Sequence, residues 1–256
     1  MTIVILGSSG NLGTVLVEYL SNKLSERIFC IDHLKSKSNL CKPKLRFCNF
    51  DFLVEGFPPE LIKNFLEIED HFTFINLIAK DYPVLYSLKS SGFNNSPFEL
   101  SLEELCKSYE ITLGSSYKLI QEVQKLNISS YHIIFTGSIY GISLPQHRIY
   151  NDTEHSTSMR FKPVAYSLAK SAQIMLLKEA VRSFGSINKR FNMISFGGIN
   201  LDQDKEFQIR YKKITPSNEM VSLSEVCSSF YFMISHSPPS LNGTNLIVDG
   251  GWSCAN

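Results

Sequence analysis

The chain reads as an α/β protein: a single-domain Rossmann fold built on a doubly wound, seven-stranded parallel sheet with helices on both faces. Three observations predict this. Short apolar runs rich in β-branched residues alternate with amphipathic helical stretches. The first run breaks at once into glycines and then a helical pattern. A later run, at 72–79, is apolar almost throughout, as a parallel strand buried on both faces is. The 256 residues show no internal repeat or linker, so one domain over 1–256 is expected.

Thr2–Leu6 is the first strand. Gly7-Ser-Ser-Gly10-Asn-Leu-Gly13 follows, and then a helix with Leu12, Leu16, Val17 and Leu20 on one face. Glycines at such a turn let the backbone approach a pyrophosphate closely, and the helix N-terminus offers free N–H groups. Gly7, Ser9, Gly10, Asn11, Leu12 and Gly13 are therefore cofactor-binding candidates. Arg27–Asp32 is the second strand. Asp32 lies nineteen residues after Gly13, at the spacing of the acid that takes the adenosine ribose hydroxyls. A carboxylate there repels a 2′-phosphate, which favours NAD over NADP, although Lys35 and Lys37 stand nearby.

A third strand is expected over 45–52, ending at Asp51, with a helix from Pro58 and Pro59 to Leu66. The fourth strand covers 72–79. Residues 80–98 read as a loop at the carboxyl edge of the sheet. Ser101 and Glu104 have capping-box spacing and open a long helix to about Leu126. Tyr131–Thr136 is the fifth strand, which puts Ser138 at the ligand edge. An irregular segment of 142–162 precedes a helix between Pro163 and Gly185. Phe191–Ser195 is the sixth strand, 199–216 a charged loop, 224–235 the last helix and Thr244–Val248 the seventh strand.

Tyr166 and Lys170 lie one helical turn apart and so share a face. An adjacent cation favours phenolate, and a shift of about three units needs roughly 4 kcal/mol of differential stabilisation. The pair is thus a candidate general acid/base for alcohol–ketone chemistry.

With Gly7/Gly10/Gly13, Asp32, Asp51, Ser138 in Thr-Gly-Ser-Ile-Tyr-Gly, Tyr166/Lys170, Phe-Gly-Gly-Ile at 196–199 and Asn-Gly-Thr-Asn-Leu-Ile-Val-Asp-Gly-Gly at 242–251, the chain resembles the short-chain dehydrogenase/reductase family. It looks most like bacterial dehydrogenases of flagellin modification and legionaminic-type acid pathways. The resemblance implies catalytic roles for Ser138, Tyr166 and Lys170. It implies that Asp51 and Phe52 flank the adenine, and that Asn76, Leu77, Ile78, Ala79, Gly197 and Ile199 line the cofactor. Four positions depart from the family pattern: Leu6, Asn76-Leu-Ile-Ala79, Phe196-Gly197 and Ile111, the last standing near the relay asparagine. Tyr140, Arg148 and Arg210 are substrate candidates, and the two arginines with Lys212 could bind a phosphate or carboxylate.

The expected function is an NAD-dependent oxidoreductase acting on a secondary alcohol or ketone, of a carbohydrate or sugar derivative in surface-glycan biosynthesis. The alternatives are a non-catalytic NAD-sensing protein and a 3-oxoacyl-carrier-protein reductase. Net charge is +1, so neither nucleic acid nor a membrane surface is an expected partner. The six cysteines are scattered without metal-ligand spacing, so no metal is expected. The opening run reads as a strand and not as a secretion signal, so the expectation is cytoplasmic. Apolar residues on more than one face of the two long helices predict a homodimer or homotetramer.

Overall fold

The computed structural model describes all residues except 35–39, 41, 59–61, 63–70, 82–84, 87–96, 99, 151–159 and 202. In chain order the strands are β1 (Thr2–Leu6), β2 (Arg27–Asp32), β3 (Leu45–Asn49), β4 (His71–Asn76), β5 (Leu85–Tyr86), β6 (Ser130–Ser138), β7 (Arg160–Phe161), β8 (Lys189–Phe196) and β9 (Asn245–Val248). Helices of the described residues are α1 (Asn11–Lys23), α2 (Phe52–Glu55), α3 (Leu102–Lys125), α4 (Val164–Phe184), α5 (Lys205–Ile214), α6 (Leu223–Ser235) and α7 (Trp252–Ala255).

Seven strands form one parallel sheet in the order β3-β2-β1-β4-β6-β8-β9, with β5 and β7 paired apart from it as an antiparallel ribbon. The expected α/β architecture is therefore present. The chain runs outward from β1 through β2 to β3, then returns to place β4 on the other side of β1. This reversal opens a crevice at the carboxyl ends of β1 and β4, where ligands of such sheets bind.

Alternation along β1 sorts the two layers. Ile3 and Ile5 pack with Leu16, Val17 and Leu20 of α1 and with Val226 and Phe230 of α6. Val4 and Leu6 pack with Leu119, Ile120 and Val123 of α3 and with Leu177 and Ala180 of α4. The capping box at Ser101 and Glu104 is formed, and a second one, Ser222 with Glu225, starts α6.

Among the boundaries that differ from expectation, three are set by a capping or turn-forming side chain. β3 stops at Asn49, because the Asp51 carboxylate accepts from the Leu53 N–H at 3.0 Å and caps α2. β4 stops at Asn76, whose side-chain oxygen accepts from the Ile78 N–H at 3.0 Å and bends the chain out of the sheet. The charged loop at 199–216 contains α5, capped by Asp204, whose carboxylate accepts from the Phe207 N–H at 2.7 Å. Most of the helix expected after Pro59, most of the 80–98 loop and residues 151–159 lie outside the described residues, as do Lys35 and Lys37. No described helix is long and apolar enough to cross a membrane.

Candidate active site

Two cavities flank the glycine turn. One of about 520 Å³ is lined by Gly7, Gly10, Asp32, Asp51, Phe52, Leu77, Ile78, Ala79 and Ile111, among others. The other, of about 800 Å³, is lined on the opposite side by Leu12, Ser138, Tyr140, Tyr166, Gly197, Ile199 and Arg210, with further residues named below. Candidates scattered over two hundred residues of sequence thus gather along one crevice.

The turn itself follows from two glycines. Gly7 has φ of +79°, a conformation that side chains disfavour. A Cβ on Gly13 would lie 2.3 Å from the Gly7 carbonyl oxygen and 2.6 Å from the Ser8 carbonyl carbon, so only glycine lets α1 start against the turn. Gly10 stands at the N-cap with no side-chain cap hydrogen bond, and the first turn carries no acid. The first N–H groups of α1, beginning at Asn11, therefore meet no side chain of their own at the cap, which suits a phosphate.

Asp32 is buried at the end of β2. Its Oδ2 accepts from the Ser9 N–H at 2.8 Å and its Oδ1 from the Leu34 N–H at 2.9 Å. The carboxylate is thereby aimed along the smaller cavity, with lone pairs left for hydroxyl donors. Asn76 does not line that cavity. It is buried behind it, where its Nδ2 donates to the hydroxyls of Ser115 and Ser116, each at 3.0 Å, and so ties β4 to α3.

In the larger cavity Tyr140 N–H donates to Ser138 Oγ at 3.1 Å, and the Ser138 hydroxyl stands beside the Tyr166 phenol. Lys170 Nζ lies 5.6 Å from the centre of the Tyr166 ring and donates to the Thr136 carbonyl at 2.6 Å. The electrostatics differ from the sequence expectation. Burial pushes the Tyr166 phenol up, the Asp81 charge adds to this, and the Ser138 hydrogen bond opposes it. Burial also pushes Lys170 down to about 7, against a smaller upward pull from Asp81. A half-charged amine cannot make the phenol acidic by itself.

A family model described as enoyl-(acyl carrier protein) reductase matches residues 86–253. The chain belongs to the short-chain dehydrogenase/reductase family. Its relatives include the post-translational flagellin modification protein A of Campylobacter coli, 29% identical over 157 residues that span 60% of this chain and 59% of that protein. The short-chain dehydrogenase of Leptospira borgpetersenii with bound NAD+ is 25% identical, with a TM-score of 0.79 over 98% of this chain and 92% of that one. The NADP-bound structure of ElxO has the same fold at 17% identity, with a TM-score of 0.74 over 98% of each chain.

Within this short-chain dehydrogenase/reductase the remaining candidates separate. Arg210 lines the larger cavity, its Nε donating to the Ile149 carbonyl at 2.9 Å. Arg148 lines neither cavity and donates to Asn256 Oδ1 at 2.7 Å. Ile111 faces the smaller cavity, away from Tyr166. Sequence reasoning missed Asp81, Tyr150, Lys162, Phe207 and Tyr211, all of which line the larger cavity. For the last two a signal existed: Phe207, Tyr211 and Ile214 recur at helical spacing after Asp204, a capping residue. Behind them Trp252 stacks on Tyr211, with ring centres 6.3 Å apart.

The depressed Lys170 has a consequence for stability. Between about 7 and the ordinary 10.5, the unfolded chain holds a proton at this lysine that the folded protein lacks. Lys170 therefore makes the free energy of unfolding rise with pH across that window. In Lys170→Met the rise should be flatter, as read by urea unfolding at several pH values from about 7 to 9. An unchanged slope would show that Lys170 keeps its proton in the fold.

Proposed function

We propose that this short-chain dehydrogenase/reductase is an NAD-dependent oxidoreductase acting on a secondary alcohol or ketone of a carbohydrate or sugar derivative, in the making of surface glycans. The observation that carries the reading is the Ser138 hydroxyl beside the Tyr166 phenol in the cavity on one side of the glycine turn, with Asp32 in the cavity on the other. The uncapped start of α1, the Gly7 turn and the Asp32 carboxylate fit a dinucleotide. Gly7, Ser9, Gly10, Asn11, Leu12 and Gly13 would hold its pyrophosphate, Asp32 its adenosine ribose, Asp51 and Phe52 its adenine. Bound there, the dinucleotide supplies hydride chemistry that no amino-acid side chain offers.

The protein's part is the oxygen and its proton. Ser138 binds the substrate oxygen. Tyr166, beside Ser138, takes the proton from that oxygen in the oxidising direction and returns it in the reducing one. Lys170 donates one N–H to the Thr136 carbonyl, and its remaining N–H would serve ribose hydroxyls. Asp32 supports NAD, because a 2′-phosphate beside its carboxylate meets like charge. The NAD+ reported with the Leptospira protein supports the same choice. For the substrate, the cavity mixes tyrosine hydroxyls, Gln203, Asp204 and Arg210, which suits a hydroxylated ligand better than a long acyl chain. The likeness to the Campylobacter flagellin modification protein points the same way. Reduction of NAD and of NADP, measured against a panel of sugars, sugar phosphates and nucleotide sugars, tests the proposal. NAD should be preferred at least tenfold. Tight NAD binding with no turnover of any member would sink it.

We also propose self-association, with a second copy on the face of α3 and α4. Tyr109, Leu113, Tyr117, Met175 and Leu176 line an apolar groove there, with Tyr117 54% and Met175 63% exposed. Sedimentation should give a dimer or tetramer for the native chain and a monomer for Tyr117→Asp with Met175→Asp; a native monomer overturns it.

A further inference from the structure

Tyr166 has a second lysine beside it. Lys170, four residues later, places its ammonium group 5.6 Å from the ring centre, and Lys162, four residues earlier, places its own at 5.7 Å. Lys170 is buried and bonded to the Thr136 carbonyl. Lys162 lines the cavity wall and is only 11% exposed; it is paired at 2.6 Å with Asp81, which follows the turn after β4. The two residues are 81 positions apart in sequence. They meet because the end of β4 and the start of α4 converge above Ser138.

Asp81 does more than hold Lys162. Its charge acts on Tyr140, Tyr150 and Tyr166, which line the substrate cavity, and on the buried Lys170, while Asp204, Arg210 and Tyr211 face the same cavity from α5 and its cap. Tyr140 and Tyr150 are joined hydroxyl to hydroxyl at 2.8 Å. A carboxylate facing three phenols resists the ionisation of each, and the phenol that must exchange a proton is one of them. Lys162 counters that charge from the other side of the pair.

We propose that Asp81 and Lys162 form a charge-balanced positioning couple for Tyr166, in which Lys162 shields the proton-exchanging phenol from the carboxylate that anchors it. This assignment rests on the oxidoreductase reading. It also bears on the departure at Ile111: the described residues put an ion pair beside Tyr166, on the substrate side, while the isoleucine lines the other cavity. The pair sets the field in which Tyr166 exchanges its proton.

The sign of each substitution follows. Lys162→Met leaves the carboxylate unbalanced, so Tyr166 ionises less readily. The acid limb of kcat/KM for alcohol oxidation should move to higher pH by roughly half to one unit, discounted for the partial exposure of Asp81. Asp81→Asn removes the carboxylate and keeps the cation, and the limb should move to lower pH by a similar amount. The double variant should return it close to the native position, a coupling that independent sites do not show. A merely structural role would lower kcat at all pH values without moving the limb in opposite directions. Limbs that stay put or move together overturn the couple, while Tyr166→Phe still abolishes turnover. If the native protein oxidises no alcohol, the oxidoreductase reading falls by itself. The couple is then judged from the alkaline onset of Tyr166 ionisation in protein carrying ¹³C-labelled tyrosine, its signal assigned by loss in Tyr166→Phe. That onset should move up in Lys162→Met and down in Asp81→Asn, and an onset common to all three proteins overturns the proposal.

Discussion

Tyr166→Phe should lower kcat by about 10²- to 10⁴-fold while leaving NAD affinity within a few-fold of native. The substitution removes one oxygen and little volume, so packing around the ring is retained. What is lost is the hydroxyl that stands beside Ser138 in the larger cavity. No other described hydroxyl replaces it well. The Tyr140 and Tyr150 hydroxyls are bonded to each other, and burial raises both phenols. Steady-state rates from NADH absorbance, beside calorimetric NAD titrations, check the expectation. A variant that retained more than a tenth of native turnover would remove Tyr166 from the chemistry.

Gly13→Ala should destabilise the fold and remove dinucleotide binding together. The added methyl would sit 2.3 Å from the Gly7 carbonyl oxygen and 2.7 Å from Ser8 Cα, and both are backbone atoms with no rotamer to yield. Either α1 moves off the turn or the turn deforms. Overpacking of this kind costs about 1–3 kcal/mol. For a chain of this size that lowers the midpoint of thermal unfolding by roughly 2–4 °C per kcal/mol. The displaced turn is also the one whose N–H groups would face the pyrophosphate, so NADH titration followed by its fluorescence should show at least a hundredfold loss. Native melting and native affinity in Gly13→Ala would mean that the turn has slack which the coordinates deny.

These two residues were legible for a local reason. Gly13 stands at a fixed distance after a strand, and Tyr166 stands one turn before Lys170 on a helix. Where the reading slipped, a polar side chain had taken over the backbone. Asn76 binds the Ile78 N–H and ends β4 early, although Leu77 and Ile78 continue the apolar run. Asp51 captures the Leu53 N–H and turns an expected strand end into a helix start. In the charged segment before Pro216 the density of lysine and arginine masked the Phe207–Tyr211–Ile214 stripe that buries α5.

The order of residues alone was enough for the parallel α/β sheet, the glycine turn, the acid at the end of β2 and the Tyr166/Lys170 pair, while Ser138 joined that pair through the family resemblance. The first four rest on periodicity or on a short fixed spacing, and those are properties of neighbouring residues. The charge states of Tyr166 and Lys170 could be read only from the folded chain, and so could the place of Asp81 and Lys162 beside them and the exclusion of Arg148 from the cavity. Desolvation and Coulomb interaction depend on which atoms surround a group in space, and here the carboxylate that acts on the phenol comes from a segment before α3, while the phenol stands on α4.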